Sequence, residues 1–227
     1  MVRTLALLAA LALPAATPAA GLADLSNRDA VNGLKDAIVK SARVAVARLG
    51  VRDGFFGNER VRIPLPPSLR SLEAVMRSIG MGLQADELVL RMNRAAEAAV
   101  PQARTLLVDA AKKMSVQDAK GILAGGDDAA TQYFRRTSTE PLAKRFRPIV
   151  RRAMARVKLA EKYNEIAASG AKLGLVKEED ANLEDYVTRQ ALDGLFVTIA
   201  DEEKKIRQEP AKAASSIIRR VFGAIGK

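Results

Sequence analysis

Apolar residues recur along most of this chain at the three- and four-residue spacing of an amphipathic helix, and hardly anywhere at the alternation of a strand. Val31, Leu34, Ile38, Ala42, Ala45 and Leu49 predict a first helix, opened by a Ser26 cap and stopped at Gly50. Leu69, Leu72, Val75, Met76 and Ile79 predict a second, capped by Ser68 and ending at Gly80. A third starts near Leu83 with Leu88, Met92, Ala95 and Ala99 inward, and Pro101 should kink it or split off the part bearing Leu106, Leu107 and Ala110. Ser115 followed by Asp118 is a capping pattern for a short helix to Ala124. The next is expected from Asp127 to about Arg136, with Gly125 as a left-handed stop before it and Asp127 as its cap. Thr139-Glu140-Pro141 then opens another, bent at Pro148 and extended by Lys158 to Ser169. An acid-rich loop, Lys177 to Asp185, precedes a helix from about Thr188 to Gln208, and Pro210 opens a last one through Phe222.

One stretch breaks the pattern. In VRDGFFGNERVRIPLPP, residues 51–67, each proline pushes its predecessor out of helical space. The expected fold is therefore all-α, a single multi-helix domain with one extended Pro-rich arm or short edge strand around residues 58–67.

The first residues read differently from the rest. Arg3, an apolar run from Leu5 to Leu13, Pro14 and small residues at Thr17 and Ala19 have the layout of a secretory signal peptide. Residues 1–20 are expected to be removed, leaving 21–227 as one helical domain, periplasmic or secreted, with no transmembrane segment. An uncleaved N-terminal anchor is the alternative.

Composition removes whole classes of chemistry. The chain contains no cysteine and no histidine. Disulfides, Cys nucleophiles, Ser-His-Asp triads, His-ligated zinc and c-type haem attachment are all excluded. What survives is carboxylate or Lys/Tyr acid–base chemistry, or a hard cation on oxygen ligands. No catalytic residue, metal site or cofactor is predicted.

The formal net charge is +11, and it is unevenly spread. Between positions 135 and 158 lie Arg135, Arg136, Lys144, Arg145, Arg147, Arg151, Arg152, Arg156 and Lys158, opposed by Glu140 alone. On a helix, Leu142, Phe146, Ile149, Val150, Ala153 and Val157 form an apolar face and the cations take the other side. Such a basic face suits an envelope protein, an anionic lipid or a polyanion; a solvated face neutralised by distant acids is the plainer alternative. Nucleic acid is a poor candidate partner, because aromatics make up 4% and no helix-turn-helix, RNP or zinc-finger signature occurs.

Three short motifs invite chemistry. GGDD at 125–128 resembles a diguanylate cyclase signature without its α/β context, and reads as a helix corner. Asp180, Asn182 and Glu184 stand at the 1-3-5 spacing of a calcium loop, but Asp185 replaces its glycine and Ala191 its terminal glutamate, which excludes an EF-hand. In MNRAAEAA, residues 92–99, Asn93, Arg94 and Glu97 share a face of an alanine-rich helix. With Asp193, Glu203 and Arg207 on the later helix they form a candidate buried polar network, structural or ligand-binding.

DGFFG, IPLPPSL, MNRAAEAA, DAKGILAGGDDAATQYFRR, EPLAKRFRPIV, DYVTRQALDGLF and EEKKIRQEP, in this order, resemble the domain-of-unknown-function family 4197. The resemblance spans nearly the whole chain after residue 20. It implies an exported, mostly helical bacterial protein and carries no catalytic residues. Two functions follow from the sequence: a non-enzymatic envelope binding protein using the basic face, or a small-molecule binder or carboxylate-based enzyme with a polar pocket between helices.

Overall fold

The computed structural model describes residues 27–70, 73–174, 176–177, 180–212 and 215–225. The signal-peptide segment and the Ser26 cap lie outside them. Helices are α1 (Asn27–Leu49), α2 (Pro67–Arg70), α3 (Glu73–Ser78), α4 (Gly82–Ala99), α5 (Ala103–Lys113), α6 (Val116–Leu123), α7 (Ala129–Met154), α8 (Lys158–Lys172), α9 (Leu183–Gln208) and α10 (Ser216–Ile225). Short 3-10 turns cover Val100–Gln102 and Pro210–Lys212. No strand occurs among the described residues, so the chain is an all-α, multi-helix domain.

The centre is α7 and α9, lying side by side, with α4 and α1 packed on them. They run antiparallel, as Arg135 pairs with Asp193 and Arg147 with Asp185. Aromatic and aliphatic side chains from all these elements meet in one core, among them Phe55, Phe134, Phe146, Phe196, Leu88 and Leu142, none more than 1% exposed. Small residues let the backbones close in. A Cβ on Gly194 of α9 would sit 2.7 Å from the Phe55 ring and 3.2 Å from Val61 Cβ.

Several boundaries moved. Pro101 does separate α4 from α5, through the turn at Val100–Gln102. Ser115 and Asp118 do form a reciprocal capping box. Pro141 does not start a helix: α7 runs unbroken from Ala129 to Met154 through both Pro141 and Pro148. Both prolines are exposed, so the carbonyls they leave unpaired face water. The buried side chains Ala130, Phe134, Ser138, Leu142, Phe146, Val150 and Met154 keep strict four-residue spacing across them. That stripe differs slightly from the expected one, leaving Ala153 exposed and Met154 buried. Helix α9 begins at Leu183 because the Asn182 side chain accepts from the Asp185 amide. Gly125 is not left-handed; a Cβ there would lie 2.6 Å from Ala129 Cβ.

Residues 51–66 form the expected arm rather than a strand. Turns occupy most of 51–61, and 62–66 have no regular structure until Pro67 takes the first position of α2. Phe55, Val61, Ile63 and Leu65 are buried, so the arm lies across the helices as part of the core. Ser68 lies within α2, and its hydroxyl meets the Tyr163 hydroxyl at 3.0 Å.

Candidate functional site

The nine cations of the basic segment divide into two groups. Arg135 donates to Asp193 at 2.6 Å and its guanidinium stands 4.9 Å from the Phe196 ring centre. Arg136 lies 3.9 Å from Asp118 and over Tyr133. Lys144 pairs with Glu140 one turn back at 2.9 Å, and Arg147 reaches Asp185 at 2.6 Å. The hydrogen bond from Lys144 holds the Glu140 carboxyl below its ordinary range. These four cations of the face each lie within 4 Å of an acid.

The lower part is different. Arg145, Arg151, Arg152, Arg156 and Lys158 are all exposed and have no ion pair or hydrogen bond among the described residues. They run from the last turns of α7, through the turn at 155–157, to the first residue of α8. The buried stripe of α7 fixes the direction of Arg145, Arg151 and Arg152: they occupy positions outside the four-residue row that enters the core.

The six residues of the candidate polar network do not form one network. Asn93 and Glu97 hold the arm. Asn93 accepts from the Ile63 amide at 2.8 Å and donates to the Ile63 carbonyl at 2.9 Å, as a paired strand residue would. Glu97 Oε1 accepts from the Phe55 and Phe56 amides, both at 3.1 Å, while Oε2 takes Arg94 at 2.6 Å. Arg94 bridges on to Asp53, which sits at φ 65, and lies 5.7 Å from the Phe56 ring; Arg62 approaches the same ring at 4.3 Å.

Glu203 and Arg207 do a separate job. Glu203 accepts from the Ala130 and Thr131 amides and from the Thr131 hydroxyl, so it caps α7 from another helix. Neither Asp127 nor Asp128 caps that end; Asp128 takes the Gln132 side chain instead. Arg207 pairs with Glu203 and donates to the Ile122 carbonyl near the end of α6, fixing both sides of the corner. Asp193 belongs with Arg135, apart from both groups.

The Asp180–Asp185 motif is likewise occupied. Asp180 pairs with Arg189, its carbonyl accepts from the Tyr163 hydroxyl, Asn182 caps α9, and Glu184 accepts from Asn164. Among the described residues no group of three or more acidic side chains is placed to hold a metal. No described helix is long and apolar enough to cross a membrane.

Sequence spacing had put Glu97 and Glu203 on the right helices without showing their partners. Those partners are backbone amides of distant segments, which leave no mark in side-chain identity.

No curated protein and no solved structure matches the chain. The family described as Protein of unknown function (DUF4197) matches residues 24–223. With that span covering most of its length, the chain belongs to the DUF4197 family.

Proposed function

We propose that this is an exported, non-enzymatic binding protein of the bacterial envelope that holds an anionic partner on Arg145, Arg151, Arg152, Arg156 and Lys158. One observation carries the reading: these five cations have no ion-pair partner among the described residues, while Arg135, Arg136, Lys144 and Arg147 of α7 are paired. Like charges held together on a folded surface raise the local potential and favour an incoming anion. The leader-like residues 1–20 support the location.

Carboxylate chemistry is the weaker alternative. Glu97 and Glu203 are buried, and both oxygens of each already accept from backbone amides or arginine, which supports a structural role for the two carboxylates.

The test is retention on immobilised heparin at low salt. The chain from residue 21 should bind, elute earlier as salt rises, and lose retention when Arg151, Arg152 and Arg156 are reversed to Glu. Unchanged retention of that variant overturns the proposal.

A further inference from the structure

The turn between α3 and α4 carries Ile79-Gly80-Met81-Gly82-Leu83. Leu83 is 82% exposed and Ile79 64%. The turn is fixed: Gly80, at φ 81, donates to the Arg77 carbonyl, and Met81 donates to the Met76 carbonyl. Those two bonds with a left-handed glycine make a Schellman closure, which holds Ile79 and Leu83 out on a firm backbone. An apolar contact commonly accompanies such a closure, and Met81 packs against the core there. Ile79 and Leu83 remain in water without a structural reason.

Topology places this turn at the basic end of the bundle. The arm passes from Phe55, packed on Gly194, to Pro64, whose carbonyl takes the Tyr186 hydroxyl, and on to Ser68 beside Tyr163. Helix α4 follows it backwards, since Glu97 holds Phe55 and Asn93 holds Ile63. It therefore runs antiparallel to α7, and Glu97 lies near the level of Arg135, which shares Phe196 with that layer. Leu83 is about 21 Å from that level at ~1.5 Å per helical residue. The same rise along α7 reaches residues near 149, beside Arg145, Arg151 and Arg152. The acids close to the turn are engaged: Glu73 and Asp86 both bind Arg77, and Glu87 pairs with Arg91.

We infer that this end of the molecule docks on an anionic lipid surface, with the basic cluster on the headgroups and Ile79 and Leu83 entering the acyl boundary. The inference rests on the anion-binding reading and names its partner. A soluble polyanion would use the cations but leave both aliphatic side chains in water; a lipid surface uses both. Each cation near an anionic membrane adds about fivefold to binding, and an inserted aliphatic side chain adds more.

The chain contains no tryptophan, so Leu83→Trp makes a single reporter. Vesicles of mixed phosphatidylglycerol and phosphatidylcholine should bind the chain from residue 21, and pure phosphatidylcholine vesicles should not. The Trp emission should shift to the blue on the anionic vesicles and stay unmoved on heparin. The double variant Ile79→Ser with Leu83→Ser should weaken vesicle binding about tenfold or more while heparin retention is unchanged. Both positions are exposed, so helicity and melting confirm that the variants fold. Vesicle binding of the double variant equal to the parent, or no blue shift on bound vesicles, overturns the lipid inference. In either case loss of heparin retention by the Arg151, Arg152 and Arg156 reversal still upholds the anion reading. Retention on heparin with no vesicle binding overturns the lipid inference alone.

Discussion

The Glu203 carboxylate accepts both the backbone amide of Thr131, at 2.9 Å, and its hydroxyl, at 2.8 Å. A carboxylate is thus set against the positive end of α7 from a helix more than seventy residues away. Removing it strands two amides, a hydroxyl and the Arg207 guanidinium in the interior. Glu203→Ala should cost about 3–5 kcal/mol in urea unfolding. Glu203→Gln, which keeps an acceptor for the amides, should cost distinctly less.

The contact of Gly194 with Phe55 and Val61 predicts a sensitive position. Gly194→Ala forces the Phe55 ring or the arm to move and should destabilise by about 1–3 kcal/mol. Gly121 is the control, since nothing lies within 4 Å of its would-be Cβ inside α6. Gly121→Ala should raise stability by about 0.5–1 kcal/mol. Thermal melts of the two variants should move in opposite directions.

Burial pushes the Tyr186 phenol up to about 12 from an ordinary 10.0, and burial raises Tyr163 and Tyr133 in the same direction. The folded chain therefore keeps these protons more tightly than the unfolded one. For Tyr186 that stability is complete below pH 10 and disappears as pH rises from 10 to 12, a loss of about 2–3 kcal/mol. Tyr186→Phe gives up the hydrogen bond to the Pro64 carbonyl, about 1 kcal/mol at pH 8. Its stability should fall less steeply between pH 10 and 12, as read from urea midpoints at several pH values.

Helix α7 tolerates two exposed prolines because its core-facing row is continuous on the other side. Pro148→Ala restores an amide donor to the Lys144 carbonyl and removes the ring's clash with that turn. After the greater freedom of the unfolded chain is subtracted, a gain of about 1–2 kcal/mol should appear in thermal unfolding.

Periodicity made the longer helices legible, because each buries a stripe against its neighbours and the stripe must repeat at helical spacing. It split α7 in two because local propensity reads Pro141 as a beginning. The row from Phe134 to Met154, which overrides that proline, makes sense only with the partner helices in place. The site was legible in part. Lysine and arginine clustering showed along the chain, but the acids that neutralise Arg135 and Arg147, Asp193 and Asp185, come from α9. Separating spent cations from free ones required the tertiary pairing. Spacing puts Ile79 inward with Leu69 and Met76, yet it is 64% exposed, because α3 ends at Ser78 and the left-handed Gly80 follows it.

Glu97 and Glu203 each tie the closure of one element to a distant part of the chain. The arm takes its amide acceptor from α4, and the first turn of α7 takes its cap from α9. A growing or truncated chain that ends before Glu203 therefore lacks the closure of its central helix. Fragments should behave as loose, protease-sensitive ensembles rather than as smaller copies of the domain. The native state should appear all at once, when the last third of the chain comes in.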